Sequence, residues 1–433
     1  MIMDEKFSVT EASQFSVKTS GSRLEKLAIA SVYLVIGYVT NLMFFFPVGD
    51  RYLISVMILS TLICLVYRKS VSTWKVIGLK SLLLPMSLYT SILVLSYLIN
   101  DGYMSTIRMF LYCSLFVYAA SLIRLQARYV GILCAVAALE MLLLILYVCG
   151  WQTCSRFGGF TNPIFFGMFS VCMAVFSTYL ACALNKQWQR WSLYLSAVVF
   201  CAAAALTQTR GVMLAFAPLL LIYAFYLYRH KVFSAKRALL TLTVVALIGG
   251  VAGYESGAYK RFLKVDDELA PALSDTANGH AYRSSVGFRV LMWKYAVAVA
   301  QEHPLFGAGK ERFQQYKKDW IEQGRFPPAL VEYLPGAHAH NQYFQEIAMR
   351  GLIGLSALCA LLIVPAVRSL QVIRARGAEW AGYISLSLVV AFATFNLTEV
   401  AMKHPEKIAI FTVLVFVALN LGRDRQIPAG DSA

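Results

Sequence analysis

Apolar runs close to the length of a bilayer-spanning helix alternate with short polar connections from residue 26 to residue 422. About 20 predominantly apolar residues suffice to cross the hydrocarbon layer as a helix. Twelve stretches fit that pattern: 26–47, 52–67, 77–99, 104–123, 129–149, 163–184, 191–208, 211–228, 238–254, 342–366, 379–398 and 407–422. The second and the eighth are short for a span, and the eighth contains Pro218. A membrane helix tolerates proline where neighbouring groups satisfy the freed carbonyl. The pattern predicts an all-α integral membrane protein with about 12 transmembrane helices.

The connections sort by charge. Alternate ones hold Arg68, Lys69 and Lys75; Arg124 and Arg128; Lys186 and Arg190; Arg229, Lys231, Lys236 and Arg237; and Arg368, Arg374 and Arg376. The polar ends of the chain add Lys6, Lys18, Arg23, Lys26, Arg423 and Arg425. The short connections opposite hold Arg51, Arg156, Arg210, Lys403 and Lys407. Cytoplasmic loops of membrane proteins collect Lys and Arg, so the cation-rich side is expected to be cytoplasmic, with both termini on it. Residues 1–25 have no apolar h-region or cleavage site and read as a cytoplasmic tail.

One connection differs. Residues 255–341 form a long outer segment, and long translocated segments are largely exempt from the charge bias. Within it, Val286, Val290, Trp293, Val297 and Ala300 fall on one helical stripe, which predicts an amphipathic helix ended by Pro304. Lys310 to Gln323 predicts a second helix, whereas Asp266 to Ser285 is polar and reads as a mobile loop. The expected organisation is therefore tail 1–25, nine helices over 26–254, outer loop 255–341, three helices over 342–422 and tail 423–433.

Composition agrees with a membrane protein. The 433 residues are 59% hydrophobic and 14% charged, with a mean hydropathy of +0.62. A soluble chain carries about a quarter charged residues. The net charge of +16 would suggest a nucleic-acid partner in a soluble protein. Here the cations follow the membrane topology, and no nucleic acid is expected. The nine cysteines lie mostly in apolar runs, as small hydrophobes. Cys149 and Cys154 flank a short outer loop, where either a disulfide or two thiols would fit.

Several outer residues could carry chemistry. Arg210 follows an almost wholly apolar run and precedes Gly211, at the outer hinge between two predicted spans. A guanidinium there either snorkels to the interface or forks onto phosphate. Arg289 lies beside the amphipathic stripe, as a headgroup contact or a second phosphate ligand. Arg156 and Asn162 belong to CSRFGGFTNP, whose glycines and proline predict a shaped turn.

His338 and His340 would face the same way on an extended segment. They fit a general base better than a zinc pair, since no HExxH, CxxC or acidic cluster supplies further ligands. Asn341 would orient a ring or cap the next helix. No close carboxylate pair or DxD-like motif appears, so arginines are the expected source of positive charge.

Thr209-Arg210-Gly211, then Gly287-Phe288-Arg289, Trp293 and HPLFGAG, then His340-Asn341, nine intervening residues, Gly351, two more residues and Gly354, occur in that order. This order resembles the O-antigen ligase family of bacterial envelope glycan transferases, within a superfamily that includes O-antigen polymerases. The resemblance covers about residues 150 to 355. It implies a multi-span glycosyltransferase of the lipid-linked-donor type, in the bacterial inner membrane, with a large periplasmic loop and a periplasmic active site. The donor would be O-polysaccharide on undecaprenyl diphosphate, and the acceptor the outer core of lipid A-core. No metal or other cofactor is implied. By position, Arg210 and Arg289 would bind the donor diphosphate, with Arg156 a weaker match. His340 or His338 would be the base, supported by Asn341, Asn162 and Gly211. Within the resemblance, a polymerase or a protein O-oligosaccharyltransferase fits as well; outside it, a polytopic transporter or flippase remains.

Overall fold

The computed structural model describes residues 23–43, 49–71, 79–100, 102–150, 156–231, 267–274, 281–332, 338–375 and 377–423. Among them every regular element is a helix. The chain begins with α1 (Arg23–Gly37), which runs into a π turn, then α2 (Gly49–Ser70), α3 (Lys80–Asn100), α4 (Met104–Ala120) and α5 (Ala127–Cys149). There follow α6 (Pro163–Leu180), α7 (Gln187–Leu206), the single-turn α8 (Arg210–Leu214) and α9 (Phe216–Arg229). The long connection before residue 342 supplies α10 (Gly287–Glu302), α11 (Gly309–Glu322) and α12 (Ala329–Glu332). The chain then forms α13 (Gln342–Arg374), α14 (Glu379–Phe395) and α15 (Pro405–Leu421).

Eleven of the twelve predicted stretches coincide with α1–α9 and α13–α15; the other, 238–254, lies outside the described residues, as do the tails 1–22 and 424–433. Among the described residues seven spans are long and apolar enough to cross a membrane, α8 and α9 together counting as one, and α4 and α14 are apolar but shorter. The predicted span 211–228 is one of the seven, as Arg210–Arg229: α8 and α9 meet at Ala215, whose backbone is itself helical at φ −68°, ψ −24°, and Pro218 sits in the first turn of α9, which needs no amide donor.

Burial explains which helices sit inside. α15 is apolar almost all round and buries nearly every residue, as does α6, so both are central. Proline opens each of them, where its missing N–H costs nothing. α5 instead exposes Ile132, Val136, Leu139, Leu143 and Tyr147 along one stripe. Exposed leucine at this density suits a lipid-facing surface. Small and hydroxylated residues draw helices together, as where Ser369 on α13 donates to Ser385 on α14 at 2.8 Å beside Gly382.

The two ends of the bundle differ. At one, Arg68 donates to the carbonyls of Tyr118 and Ala119, Asn420 spans Ile123 and Leu125, and His230 pairs with Glu379 at 2.8 Å. These groups come from the cation-rich connections. At the other end, α10, α11 and α12 form a cap with its own core, including Tyr295, Val299, Phe313, Trp320 and Leu330.

The cap corrects two expectations. Of the predicted stripe, Val290 and Ala300 are buried, Val286 and Trp293 are half-buried and Val297 is exposed, while α10 also buries Leu291, Met292, Tyr295, Ala296 and Val299 outside it. The stripe assumed one apolar partner surface, whereas α10 packs against α11, α12 and the start of α13 at once. The stretch read as a mobile loop is helical at 267–273 and forms turns at 281–286, with 275–280 outside the described residues.

Candidate active site

Three connections and the cap converge at this end. Arg156, Arg210 and Arg289, which arrive on three different segments, line one cavity of about 380 Å³ together with Gln208, Thr398 and Glu399. Ile164, Met168, Val212, Phe395 and Trp293 supply an apolar part of the same wall. Fixed cations beside apolar surface suit an anion carried on a hydrophobic chain.

Each arginine is held by local structure. Arg156 has φ 53°, in a loop whose Phe157 N–H donates to the Leu206 carbonyl at 3.0 Å. The predicted turn is present, with Thr161 N–H donating to Gly158 O and Gly159 at φ 57°. Arg210 opens α8 after the N-cap Thr209. Gly211 leaves the space that Thr398 fills, since a Cβ there would overlap the threonine hydroxyl. Arg210 Nη1 lies 3.5 Å from Glu268, which also accepts from Val286 N–H at 3.3 Å.

Arg289 Nη1 donates to the Ser285 carbonyl and hydroxyl at 2.8 and 2.9 Å. Its Nε, and Trp293 Nε1 one turn along, are buried without a hydrogen-bond partner. Such orphan donors cost about 1–3 kcal/mol each unless a ligand takes them. Burial lowers the pKa of Arg289, and Glu399 opposes that shift.

Glu399 also faces the imidazoles. Its Oε1 lies 3.9 Å from His338 Nε2 and 3.9 Å from His340 Nδ1, and its Oε2 lies 4.0 Å from Lys407 Nζ. Val400 N–H donates to Oε1 at 2.9 Å. Burial opposes the carboxylate charge, and Lys407 and the Val400 amide are among the groups that outweigh it, holding the carboxyl below its usual range. Burial pushes His340 down to about 4, against the pull of Glu399, and pushes His338 down as well, helped by His340. Both rings are therefore neutral near pH 7.

The histidines meet for a reason other than strand alternation. His340 has φ 47°, which folds the segment so that the ring centroids are 4.3 Å apart. Arg156, Gln208 and His340 are three of the four described non-glycine residues with positive φ. Each such conformation costs of order 1–3 kcal/mol, and such strain gathers at functional sites.

Asn341 caps α13, accepting from Tyr343 and Phe344 N–H, and donates to Leu397 O at 3.0 Å. It thereby ties the histidine segment to the Glu399 segment. Asn162 is exposed and caps α6 through Ile164 N–H at 2.8 Å, so its role is structural and it does not line the cavity.

The spacing from His340 to Gly354 has a physical reading. Gly351 interrupts α13 at φ 64°, ψ −160°, and a Cβ there would overlap the Leu305 backbone. Leu352 N–H donates to Pro304 O at 2.8 Å, and Ala308 N–H to Ala348 O at 2.9 Å. HPLFGAG thus docks its backbone onto the break and seats the cap. Gly354 leaves room for Arg350, whose guanidinium pairs with buried Glu346 at 2.8 Å; Tyr89 and Gln342 donate to the same carboxylate. Arg350 therefore has a partner one helical turn back.

The sequence reading left Glu399, Lys407 and Glu268 unassigned. Their signal was weak: a carboxylate and a lysine near the ends of apolar runs, far in the chain from the residues they meet. The donor atoms of His338, His340 and Glu399 lie within 4.8 Å of one another, a spacing that could hold a metal. Lys407 beside the same carboxylate, with Lys403 and Arg289 nearby, opposes a divalent cation and suits an internally neutralised cluster. Cys149 is disulfide-bonded, and seven other cysteines are free; Cys154 lies outside the described residues.

Residues 195–359 match the family model for O-antigen ligase. The chain is also 24% identical to an uncharacterized protein of Haemophilus influenzae over 211 residues, which are 47% of this chain and 50% of that relative. The match thus spans half the relative's length. Arg156 and Glu399 lie outside the family match. Residues 195–359, which supply Arg210, Arg289, His338 and His340, are thus similar to the O-antigen ligase family, and the match supports a place in the O-antigen ligase superfamily.

Proposed function

We propose that this protein is a ligase that transfers O-polysaccharide from undecaprenyl diphosphate to a sugar hydroxyl of lipid A-core, at the periplasmic face of the bacterial inner membrane. The observation that carries the reading is the shared cavity. Guanidinium groups from three segments face one space, and Glu399 joins that space to two neutral imidazoles.

Arg210 and Arg289, with Arg156 at the rim, hold the diphosphate, and the apolar wall of Ile164, Met168 and Val212 receives the start of the lipid chain. A histidine of the cluster takes the acceptor proton. The acceptor oxygen attacks the anomeric carbon from the face opposite the diphosphate, which leaves, and the configuration inverts. Each arginine contributes about 2–4 kcal/mol as charge develops on the leaving oxygen, if an oxyanion-hole donor is a fair guide. The base contributes roughly 10²–10⁴-fold. No metal is needed, because the arginines carry the positive charge.

Two observations support the orientation. Lys and Arg concentrate at the end of the bundle away from the cavity. Cys149, at the cavity end, is disulfide-bonded, which suits an oxidising compartment.

The test is transfer by purified protein in nanodiscs, with lipid-linked glycan, lipid A-core and EDTA. Capped core in the presence of EDTA is the expected result. Lengthened lipid-linked glycan would reassign the chain as a polymerase, and transfer only to a protein acceptor as an oligosaccharyltransferase. Glycan lipid crossing liposome membranes without any joining would make it a flippase. Loss of joining with EDTA, restored by a divalent cation, would return a metal to the histidine cluster.

A further inference from the structure

We infer that Glu399 is the positioning residue of the reaction: it sets the tautomers of the two histidines so that His340 Nε2 is the base, and it stabilises the imidazolium formed there. The inference rests on the glycosyl-transfer reading above and assigns the group which that reading leaves open.

The argument is one of proton placement. His338 Nδ1 accepts from the His340 backbone N–H at 3.3 Å, so the ring proton of neutral His338 sits on Nε2. That nitrogen faces Glu399 Oε1 at 3.9 Å, which leaves His338 no lone pair for an acceptor. His340 is arranged the other way. Its Nδ1 is buried without a hydrogen-bond partner and faces the same carboxylate oxygen at 3.9 Å. A carboxylate favours a proton on the nitrogen facing it, and Nε2 of His340 then carries the free lone pair.

The charged groups around this arrangement come from several elements. Lys407 on α15 holds the carboxylate ionised from its far side, at 4.0 Å. Arg289 on α10, Lys407 and Lys403 act against a charge on His340, and His340, His404 and Lys403 against one on His338. Glu399 is the anionic group that favours an imidazolium at either ring. The carboxylate also lines the cavity proposed for the diphosphate. It therefore repels the resting donor while assisting the proton transfer.

The step balances. The acceptor O–H proton passes to His340 Nε2, and the oxygen electron pair forms the bond to the anomeric carbon. The bond from that carbon to the diphosphate oxygen breaks, and its electron pair leaves on the diphosphate. Imidazolium and carboxylate then face each other as a charge pair.

Glu399→Gln separates the two effects. The expected result is a fall in kcat of about 10²-fold or more, since losing the orienting carboxylate of a histidine base costs up to roughly 10⁴-fold. The donor KM should stay level or fall, because a repelling charge has left the cavity. Glu399→Asp should recover part of kcat. Nitrogen-15 spectra of histidine-labelled protein, assigned with His338→Gln and His340→Gln, give a readout independent of turnover. Wild-type His340 should carry its proton on Nδ1, and Glu399→Gln should shift the population toward Nε2. An Nε2–H tautomer for wild-type His340, or unchanged tautomer and kcat in Glu399→Gln, overturns the inference. Full transfer by His340→Ala alone overturns it too, whereas full transfer by His338→Ala and His340→Ala alike would instead overturn the histidine-base reading itself.

Discussion

Glu399 Oε1 and His340 Nδ1 stand 3.9 Å apart although they belong to opposite ends of a helical hairpin, one after α14 and one before α13. Asn341 closes this approach by donating to Leu397 O, and Gln342 N–H reinforces it by donating to Asn396 O at 2.8 Å. The acid thus meets the ring through helix ends sewn together by backbone contacts, and the cavity with its arginines opens on the other side of the same carboxylate.

Arg210→Ala and Arg289→Ala should each reduce transfer by about 30- to 1,000-fold, the kinetic equivalent of about 2–4 kcal/mol. The lysine variants should fall between, because an ammonium keeps the charge and loses the fork. Elution as a single folded species, with transfer rates in nanodiscs, checks this. Wild-type rates for both alanine variants would remove the diphosphate clamp.

Glu268→Gln should tighten donor binding modestly. Its carboxylate occupies Arg210 at 3.5 Å and is partly exposed, so its competition is worth only about 1.5- to 5-fold. Donor KM is the measurement, with kcat unchanged; a weaker KM would mean that Glu268 organises Arg210 for the ligand.

Acid should destabilise the fold. His340 is held near 4 in the folded protein, against 6.5 for the free ring. Between those values the unfolded chain binds the extra proton, so stability rises with pH. The contribution is whole above 6.5 and is lost as pH falls from there toward 4, at about 1.4 kcal/mol per pH unit for one such ring. Thermal unfolding in detergent should give a lower Tm at pH 5 than at pH 7, with a smaller difference in His340→Gln.

Gly351→Ala should unseat the cap. The φ of 64° and ψ of −160° belong to backbone that only glycine adopts easily, at a cost of about 1–3 kcal/mol for another residue. The added methyl would also overlap the Leu305 backbone. Gly307→Ala attacks the same contact from the other side, at φ 69° against Met349 and Arg350. Both should lower Tm and transfer together, and the double variant should cost less than the two singles combined.

Much of the frame was legible before any coordinates. Apolar runs of helix length admit little but helices in a bilayer, because every backbone amide must find its partner within the segment. The same logic located Arg156, Arg210, Arg289 and the histidines on one side, since loops alternate sides at each crossing. The stripe on α10 held at Val290 and Ala300 and failed at Val297, because a helix touching three neighbours has no single apolar face. The pairing of histidines was read as strand alternation, and a positive φ at His340 produced it instead.

Alone, then, the order of residues determined helices, their alternation and the gathering of Arg156, Arg210, Arg289 and the histidines at one end of the bundle, all of which follow from local hydropathy and chain connectivity. Tertiary structure decided that three arginines share one cavity and that Glu399 and Lys407 complete the histidine cluster. It also decided that HPLFGAG docks on the break at Gly351. Those are contacts between segments far apart in the chain, and their energy comes from mutual burial and charge compensation that exist only once the helices pack.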